Sequence, residues 1–182
     1  KLALTARTLK DNHIDFKLVV EPQDELNYCQ NFGSNHILVM KENNMGIAYV
    51  RNWIKQYSIS QHEDYHWQID DDIREFRKRE NNKNNNCHPF DCMIPVEDYV
   101  DNHKNVGLAG LKHIAFAFSA RDVLSFNKQI CGVFLANNKI DINWRDDLIE
   151  DTDYSLQVLN NNYCTVLFNR LIFATPATST MA

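Results

Sequence analysis

The sequence predicts an α/β fold: a single domain whose mostly parallel central sheet is flanked by helices. Three observations predict it. Short β-branched and aromatic runs alternate with helical patterns over the first ~75 residues, an order that calls for crossover connections and a parallel sheet. The chain has 182 residues and is 44% hydrophobic, enough to bury one substantial core. The run Tyr65-His66-Trp67-Gln68-Ile69 reads as a strand and ends in Asp70-Asp71-Asp72. In open α/β sheets, ligands bind beyond the carboxyl ends of the strands.

The elements follow in order. Leu4 and Leu9, with Leu2, mark a helix over residues 1–12, and Phe16 to Val20 a strand that stops at Glu21-Pro22. Asp24 to Asn31 reads as a helix closed by Gly33, and His36 to Met40 as a strand. After the turn Asn43 to Gly46, the apolar residues Ile47, Val50, Ile54 and Tyr57 recur at amphipathic-helix spacing. The acidic strand comes next. A strand preceding Lys1 is expected to complete the first unit. Asn81 to Asn86 reads as a polar loop. Pro95 is expected to open a helix reaching about His103. Val106 to Phe118 reads as a strand with a bend, and Ile130 to Leu135 as another strand. Glu150-Asp151-Thr152-Asp153 opens a helix whose early acids suit the helix dipole. Tyr163 to Ala174 is the last strand.

Composition excludes several classes. No apolar run reaches the ~18 residues of a membrane span, and no stretch has the make-up of a secretory signal peptide. Five cysteines at irregular spacing argue against a disulfide framework and for a reducing compartment. Cys87, His88, Cys92 and His103 match no standard zinc spacing. The formal charge of −5 does not advertise nucleic-acid binding. Arg74, Arg77, Lys78 and Arg79 offer a local basic face, or equally a solvated stretch of mixed charge.

Three adjacent carboxylates repel one another, and a hard cation such as Mg²⁺ or Mn²⁺ would compensate them through oxygen ligands. A solvated acidic turn is the plainer alternative. The ordered set decides between them: Glu21 at a strand end, Asn44-Met45-Gly46-Ile47-Ala48-Tyr49-Val50-Arg51-Asn52 before the acidic strand, and Glu150-Asp151 late in the chain. This order resembles the GT-A glycosyltransferases of the family 2-like kind, with Val50 where their pattern has Ala. The run His66 to Ile73 behind Gly46 to Asn52, with Thr175-Pro176 near the end, more narrowly resembles the TET-associated glycosyltransferases of bacterial viruses. Those enzymes modify hydroxymethylated pyrimidines in DNA.

The resemblance implies a GT-A, Rossmann-like domain over 1–182, short of its first strand and its C-terminal end. Residues 1–80 would form the nucleotide-sugar and metal half, and 81–182 the acceptor half. It implies a metal-dependent transfer of a sugar from a nucleotide donor, UDP-linked, to a hydroxymethylated pyrimidine in DNA, in the cytoplasm (the host's, if viral). Asp72 would ligate Mn²⁺ or Mg²⁺ with Asp70 in support, and Asp71 would reach the ribose or sugar. Glu21 would bond the nucleotide base, or be an ordinary strand-end acid before Pro22, and Arg51 would pair with the diphosphate, or equally form a surface helix salt bridge. Asn52 would hold its loop. Asp151 would be the general base, or a helix cap, and Glu150 would position the acceptor. Trp144 and Arg145 would stack on sugar or base, or sit in the core. Family members often add a C-terminal histidine ligand, and no histidine follows His113. A glycan or protein acceptor, a non-catalytic transferase-like module and a nucleotidyltransferase are the competing classes. The last would carry a Gly-rich or Lys-rich triphosphate loop, which is not seen.

Overall fold

The computed structural model describes residues 3–119, 122–145 and 148–176. Leu2, the strand expected before Lys1 and anything past Ala182 lie outside that range. Helix α1 (Leu4–Asp11) leads to strand β1 (Leu18–Val20), helix α2 (Glu25–Phe32), strand β2 (Ile37–Val39), helix α3 (Ile47–Ser60) and strand β3 (Tyr65–Ile69). Gly33 ends α2 at φ 87°, a left-handed turn that glycine adopts without a Cβ penalty. The helix–strand alternation over this half is the one predicted.

The second half adds strands β4 (Glu75–Glu80) and β5 (Lys83–Cys87), helix α4 (Pro89–Asn102), strands β6 (Val106–His113), β7 (Leu124–Phe126) and β8 (Val133–Asn137), helix α5 (Glu150–Asn160) and strand β9 (Cys164–Ala174). The fold class is α/β, with helices against a central sheet, but the sheet is mixed rather than mostly parallel. β1 and β2 form a parallel pair of their own, while seven strands form the main sheet in the order β3-β8-β6-β9-β4-β5, with β7 against β9. Within that sheet β6–β9 is parallel and every other pairing is antiparallel. The parallel expectation is met at β1–β2, which α2 connects, and at β6–β9, while β3 leaves the first pair and joins the main sheet antiparallel to β8.

Other local readings are corrected too. The asparagine-rich stretch is no plain loop. Asn81 and Asn82 take φ of 49° and 62°, the two-residue turn of a hairpin, and Glu80 pairs with Lys83 across it. Helix α4 starts at Pro89, capped by His88 in a capping box with Asp91, so Pro95 lies inside the helix instead of opening it. The strand read from Ile130 starts at Val133, because Gly132 turns the chain at φ 73° with the Phe173 ring beneath it; any Cβ there would come within 2.6 Å of that ring.

Helix α3 inverts the amphipathic expectation. Arg51, Lys55 and Ser58 are its buried residues. Each has a polar partner that makes burial tolerable: Lys55 Nζ donates to the carbonyls of Ile140 and Ile142 at 2.7 and 2.6 Å, and Ser58 Oγ accepts from Asn138 at 2.9 Å. The predicted apolar stripe, Ile47, Val50, Ile54 and Tyr57, instead lines a cavity of about 830 Å³. Leu18 and Val19 of β1 line the same cavity, as do His66 to Ile69 of β3.

The main core lies between the sheet and helices α1 and α4, around Ile73, Phe76, Val96, Val100, Leu111 and Phe173. A second cluster joins β6, β8 and α5 around Phe134, Trp144 and Tyr154. Helix α1 fixes the acidic turn from outside. Thr5 N–H donates to the Asp71 carbonyl at 3.0 Å. The Thr5 hydroxyl donates to the Asp70 carbonyl and accepts from Ile73 N–H. Thr8 Oγ reaches the carbonyl of Ile73 at 3.1 Å. Replacing Thr5 by Val keeps the shape and strands a buried carbonyl and amide, so unfolding in urea is expected to show a loss of about 2 kcal/mol with an unchanged slope.

Candidate active site

Strand β3 delivers the acids and helix α3 delivers the cation that gathers them. Asp70 N–H bonds the Gly132 carbonyl at 2.8 Å, which ties the end of β3 to the start of β8. One turn into α3, Arg51 is 4% exposed. Its Nη2 lies 3.1 Å from Asp70 Oδ1, 3.5 Å from Asp151 Oδ1 and 3.8 Å from Glu150 Oε1. Its Nη1 donates to Gln68 Oε1 at 3.4 Å, and its guanidinium lies over the Phe134 ring, 5.0 Å from the centroid. Two acids far apart in sequence from Asp70 thus converge on a single buried guanidinium.

A buried polar chain supports Arg51 from below. Gln68 Nε2 donates to the Arg51 carbonyl at 3.1 Å and meets His66 Nε2 at 2.8 Å, while His66 Nδ1 meets Asn138 Oδ1 at 2.7 Å. That chain assigns Nδ1–H as donor and Nε2 as acceptor, a neutral imidazole. Burial pushes His66 down to about 4, so it stays neutral near pH 7. Asn52 clamps the segment before α5: its side-chain amide donates to the Trp144 carbonyl at 2.7 Å and accepts from Trp144 N–H at 2.9 Å.

The electrostatics favour protonation of the acids. Burial raises Asp151 to about 6, against the pull of Arg51 and with a push from Glu150 and Asp70. Burial also raises Asp70, again opposed by Arg51. Asp72 is raised by burial and by Asp71, while His113 pulls it down. His113 closes strand β6, with Nε2 3.1 Å from Thr175 Oγ1 and Nδ1 accepting from Ala115 N–H at 3.2 Å. The sequence reading passed over His113 as a site residue. The same rule that selected Asp70 to Asp72, the carboxyl end of a strand, would have selected it.

The predicted residues divide into those brought together and those kept apart. Asp70, Asp71, Asp72, Arg51 and Glu150 share the cavity lining, and Asp151 joins them through Arg51. Glu21 is not among the lining residues. Its carboxylate accepts from Asn44 N–H at 2.8 Å and from Gln23 Nε2 at 2.5 Å, bracing the loop before α3. Arg51, expected on a diphosphate, has its fork engaged by carboxylates and Gln68. Asp151 does not cap its helix, whose cap position is Ile149 without a side-chain bond. Trp144 takes the core alternative, stacked on Tyr154 with centroids 3.6 Å apart, and Arg145 Nε pairs with Asp153 at 3.0 Å.

Among the described residues no three His, Cys, Asp or Glu side chains form a group that could hold a metal ion by themselves. The donors at the turn are carboxylate oxygens with the His113 imidazole near Asp72; Asp70 already pairs with Arg51, and Asp72 stands half-buried beside Asp71. This set suits a hard cation that takes most of its shell from phosphates and water, and does not suit zinc. All five cysteines are free.

A raised carboxyl pKa means the folded state holds its proton more tightly than the unfolded chain, so stability falls as pH rises through the interval from about 4 to 6. Asp151→Asn is therefore expected to raise the melting temperature near pH 7.5, by at most about 3 kcal/mol of stability. The gain should vanish below pH ~4, where the native acid is already protonated. Thermal melts of both proteins across pH check this.

The model of the family described as TET-associated glycosyltransferase matches residues 1–182. No curated protein matches the chain. Among solved structures, CMP:2-keto-3-deoxy-manno-octonic acid synthetase complexed with CTP is similar at 12% identity and a TM-score of 0.56, covering 93% of this chain and 79% of its own. That likeness is one of fold. Among the described residues no helix is long and apolar enough to cross a membrane. With the family match spanning every residue, the chain belongs to the TET-associated glycosyltransferases.

Proposed function

We propose that the protein is a metal-dependent glycosyltransferase that moves a sugar from a UDP-linked donor to the hydroxyl of a hydroxymethylated pyrimidine in DNA. One observation carries the reading: the buried Arg51 gathers Asp70, Glu150 and Asp151 beside a cavity that the acidic turn also lines. Family membership supplies the reaction class. The fold shared with a synthetase complexed with CTP supports a nucleotide at the strand ends.

Each residue has a role its position supports. Asp151 Oδ takes the proton of the acceptor hydroxyl as that oxygen bonds the anomeric carbon. The bond from that carbon to the diphosphate breaks, and its electron pair leaves with the diphosphate. A base raised to about 6 suits this work, being ionised at neutral pH and still basic enough to accept a proton. Arg51 holds Asp151 in place and keeps it ionised. Glu150, on the same guanidinium, positions the acceptor. Asp72 and Asp70 would hold Mg²⁺ or Mn²⁺, which would supply Lewis-acid stabilisation of the leaving diphosphate. Asp71, exposed at the turn, is free to bond the donor's ribose or sugar.

Mass spectrometry of hydroxymethylated DNA incubated with a panel of nucleotide sugars tests the reaction itself. A mass gain of one sugar on the modified base is expected. Modification of a glycan or peptide instead, with DNA untouched under every donor, would establish the alternative acceptor.

Two variants separate the roles. Asp151→Asn is expected to lower the transfer rate by roughly 10²–10⁴-fold while sparing donor affinity. Asp72→Asn is expected to weaken donor binding and its dependence on Mn²⁺ together, as read by calorimetry with and without chelator. In the wild type, transfer should rise with pH through about 6 as Asp151 loses its proton. A rate flat from pH 5 to 8 would remove Asp151 as the base.

A further inference from the structure

The β4–β5 hairpin carries a charge that the rest of the chain does not. Between Arg74 and Cys87 stand five cations, Arg74, Arg77, Lys78, Arg79 and Lys83, against two carboxylates, in a chain of formal charge −5. The carboxylates are spoken for. Glu75 Oε1 takes Arg74 at 2.9 Å and Arg77 at 2.6 Å, and Glu80 takes Lys78 at 3.4 Å. Among the described residues no carboxylate pairs with Arg79, Lys83 or Arg170. Arg170 is an exposed residue inside β9, one position beyond the Leu171–Lys78 pair that joins β9 to β4.

An aromatic ring stands against one of these cations. Arg79 lies over the Phe118 ring, 5.6 Å from its centroid, and Phe118 is 73% exposed. Phe116, on the same short turn of helix, is 62% exposed. Arg79 also donates to Asn84 Oδ1 at 3.2 Å, so it is held in place without being neutralised by a carboxylate, and a largely exposed phenyl ring under such a cation marks a contact site. Cations for phosphates and π-faces for bases are the two halves of a single-strand nucleic-acid surface.

The surface is continuous with the acids. Strand β4 leaves the acidic turn within three residues of Asp72, and Arg74 N–H bonds the Ala174 carbonyl at 2.8 Å, next to Thr175 and His113. A polyanion cannot lie over Asp70 to Asp72, Glu150 and Asp151 without strong repulsion. It can lie on the hairpin and send one base across to the acids, as enzymes that modify bases require.

We propose that the β4–β5 hairpin, with Arg170 and the Phe118 ring beside Arg79, is the DNA-binding surface of this protein: its cations take the phosphates of an unpaired strand and its phenyl rings stack on the bases. This rests on the DNA-acceptor reading above. The test measures binding of a fluorescent single-stranded oligonucleotide carrying hydroxymethylcytosine, between 50 and 300 mM salt, with UDP binding followed in parallel by calorimetry.

The triple variant Arg79→Ala/Lys83→Ala/Arg170→Ala is expected to lose at least about tenfold in affinity at low salt and to flatten the log–log salt slope by about 2, from three lost phosphate contacts. Phe118→Ala, at an exposed position that should not disturb folding, is expected to weaken binding roughly 5–100-fold with the slope unchanged. UDP affinity should stay at the wild-type value in both. A triple variant with wild-type affinity and slope would overturn the surface and leave the acceptor reading standing. A wild-type protein that binds UDP but no DNA would overturn both.

Discussion

The structure depends on the burial of one guanidinium. Arg51 sits in the protein with a side chain 5% exposed, and Asp70, at 37%, reaches from it toward the cavity. A charge taken out of water costs several kcal/mol unless it is paired and hydrogen-bonded. Here the cost is met by Asp70, Glu150, Asp151, Gln68 and the face of Phe134, which come from β3 and the turn after it, α5 and β8. Three carboxylates share that one positive charge, so the site carries an excess of negative charge in low-dielectric surroundings. Burial, with that excess, lifts Asp151 to about 6, so the arrangement that costs stability also yields a carboxyl that titrates close to neutral pH.

Helix α1 and the turn of Gly132 explain why the acids can be so crowded. The carbonyls and amides from Asp70 to Arg74 are held by Thr5 and Thr8 on one side and by the Gly132 carbonyl on the other. The backbone is therefore fixed before any ligand arrives. Preorganisation of this kind holds the crowded carboxylates in one arrangement, as the cation proposed above would require. The hairpin that follows carries the opposite charge, so the two ends of one continuous segment present an acid pocket and a basic surface.

Much of this was legible in the sequence, for identifiable reasons. The acids at the end of β3 and at the start of α5 were visible because strand ends and helix starts have local signatures. Their meeting on Arg51 was not visible, because it depends on the packing of α3, whose polar stripe turns inward. The apolar stripe suggested the opposite face, and periodicity alone cannot tell a core from a cavity wall. Strands β4 and β5 were missed because Glu75 to Glu80 contains a single core residue, Phe76, and the alternation signal is drowned by charge. His113 was overlooked as a site residue because its link to Asp72 and Thr175 spans more than forty residues in each direction. Glu21 was drawn toward the donor by resemblance, while its observed partners are the neighbouring loop.

Arg51 holds Asp151 below the value that burial and the neighbouring acids alone would give it. The most direct measurement is the pH dependence of single-turnover transfer in an Arg51→Gln variant beside the wild type. With the positive charge removed, the midpoint governed by Asp151 should move upward from about 6, because burial and the neighbouring acids would act unopposed. A midpoint that stays where it is in the wild type would contradict the account.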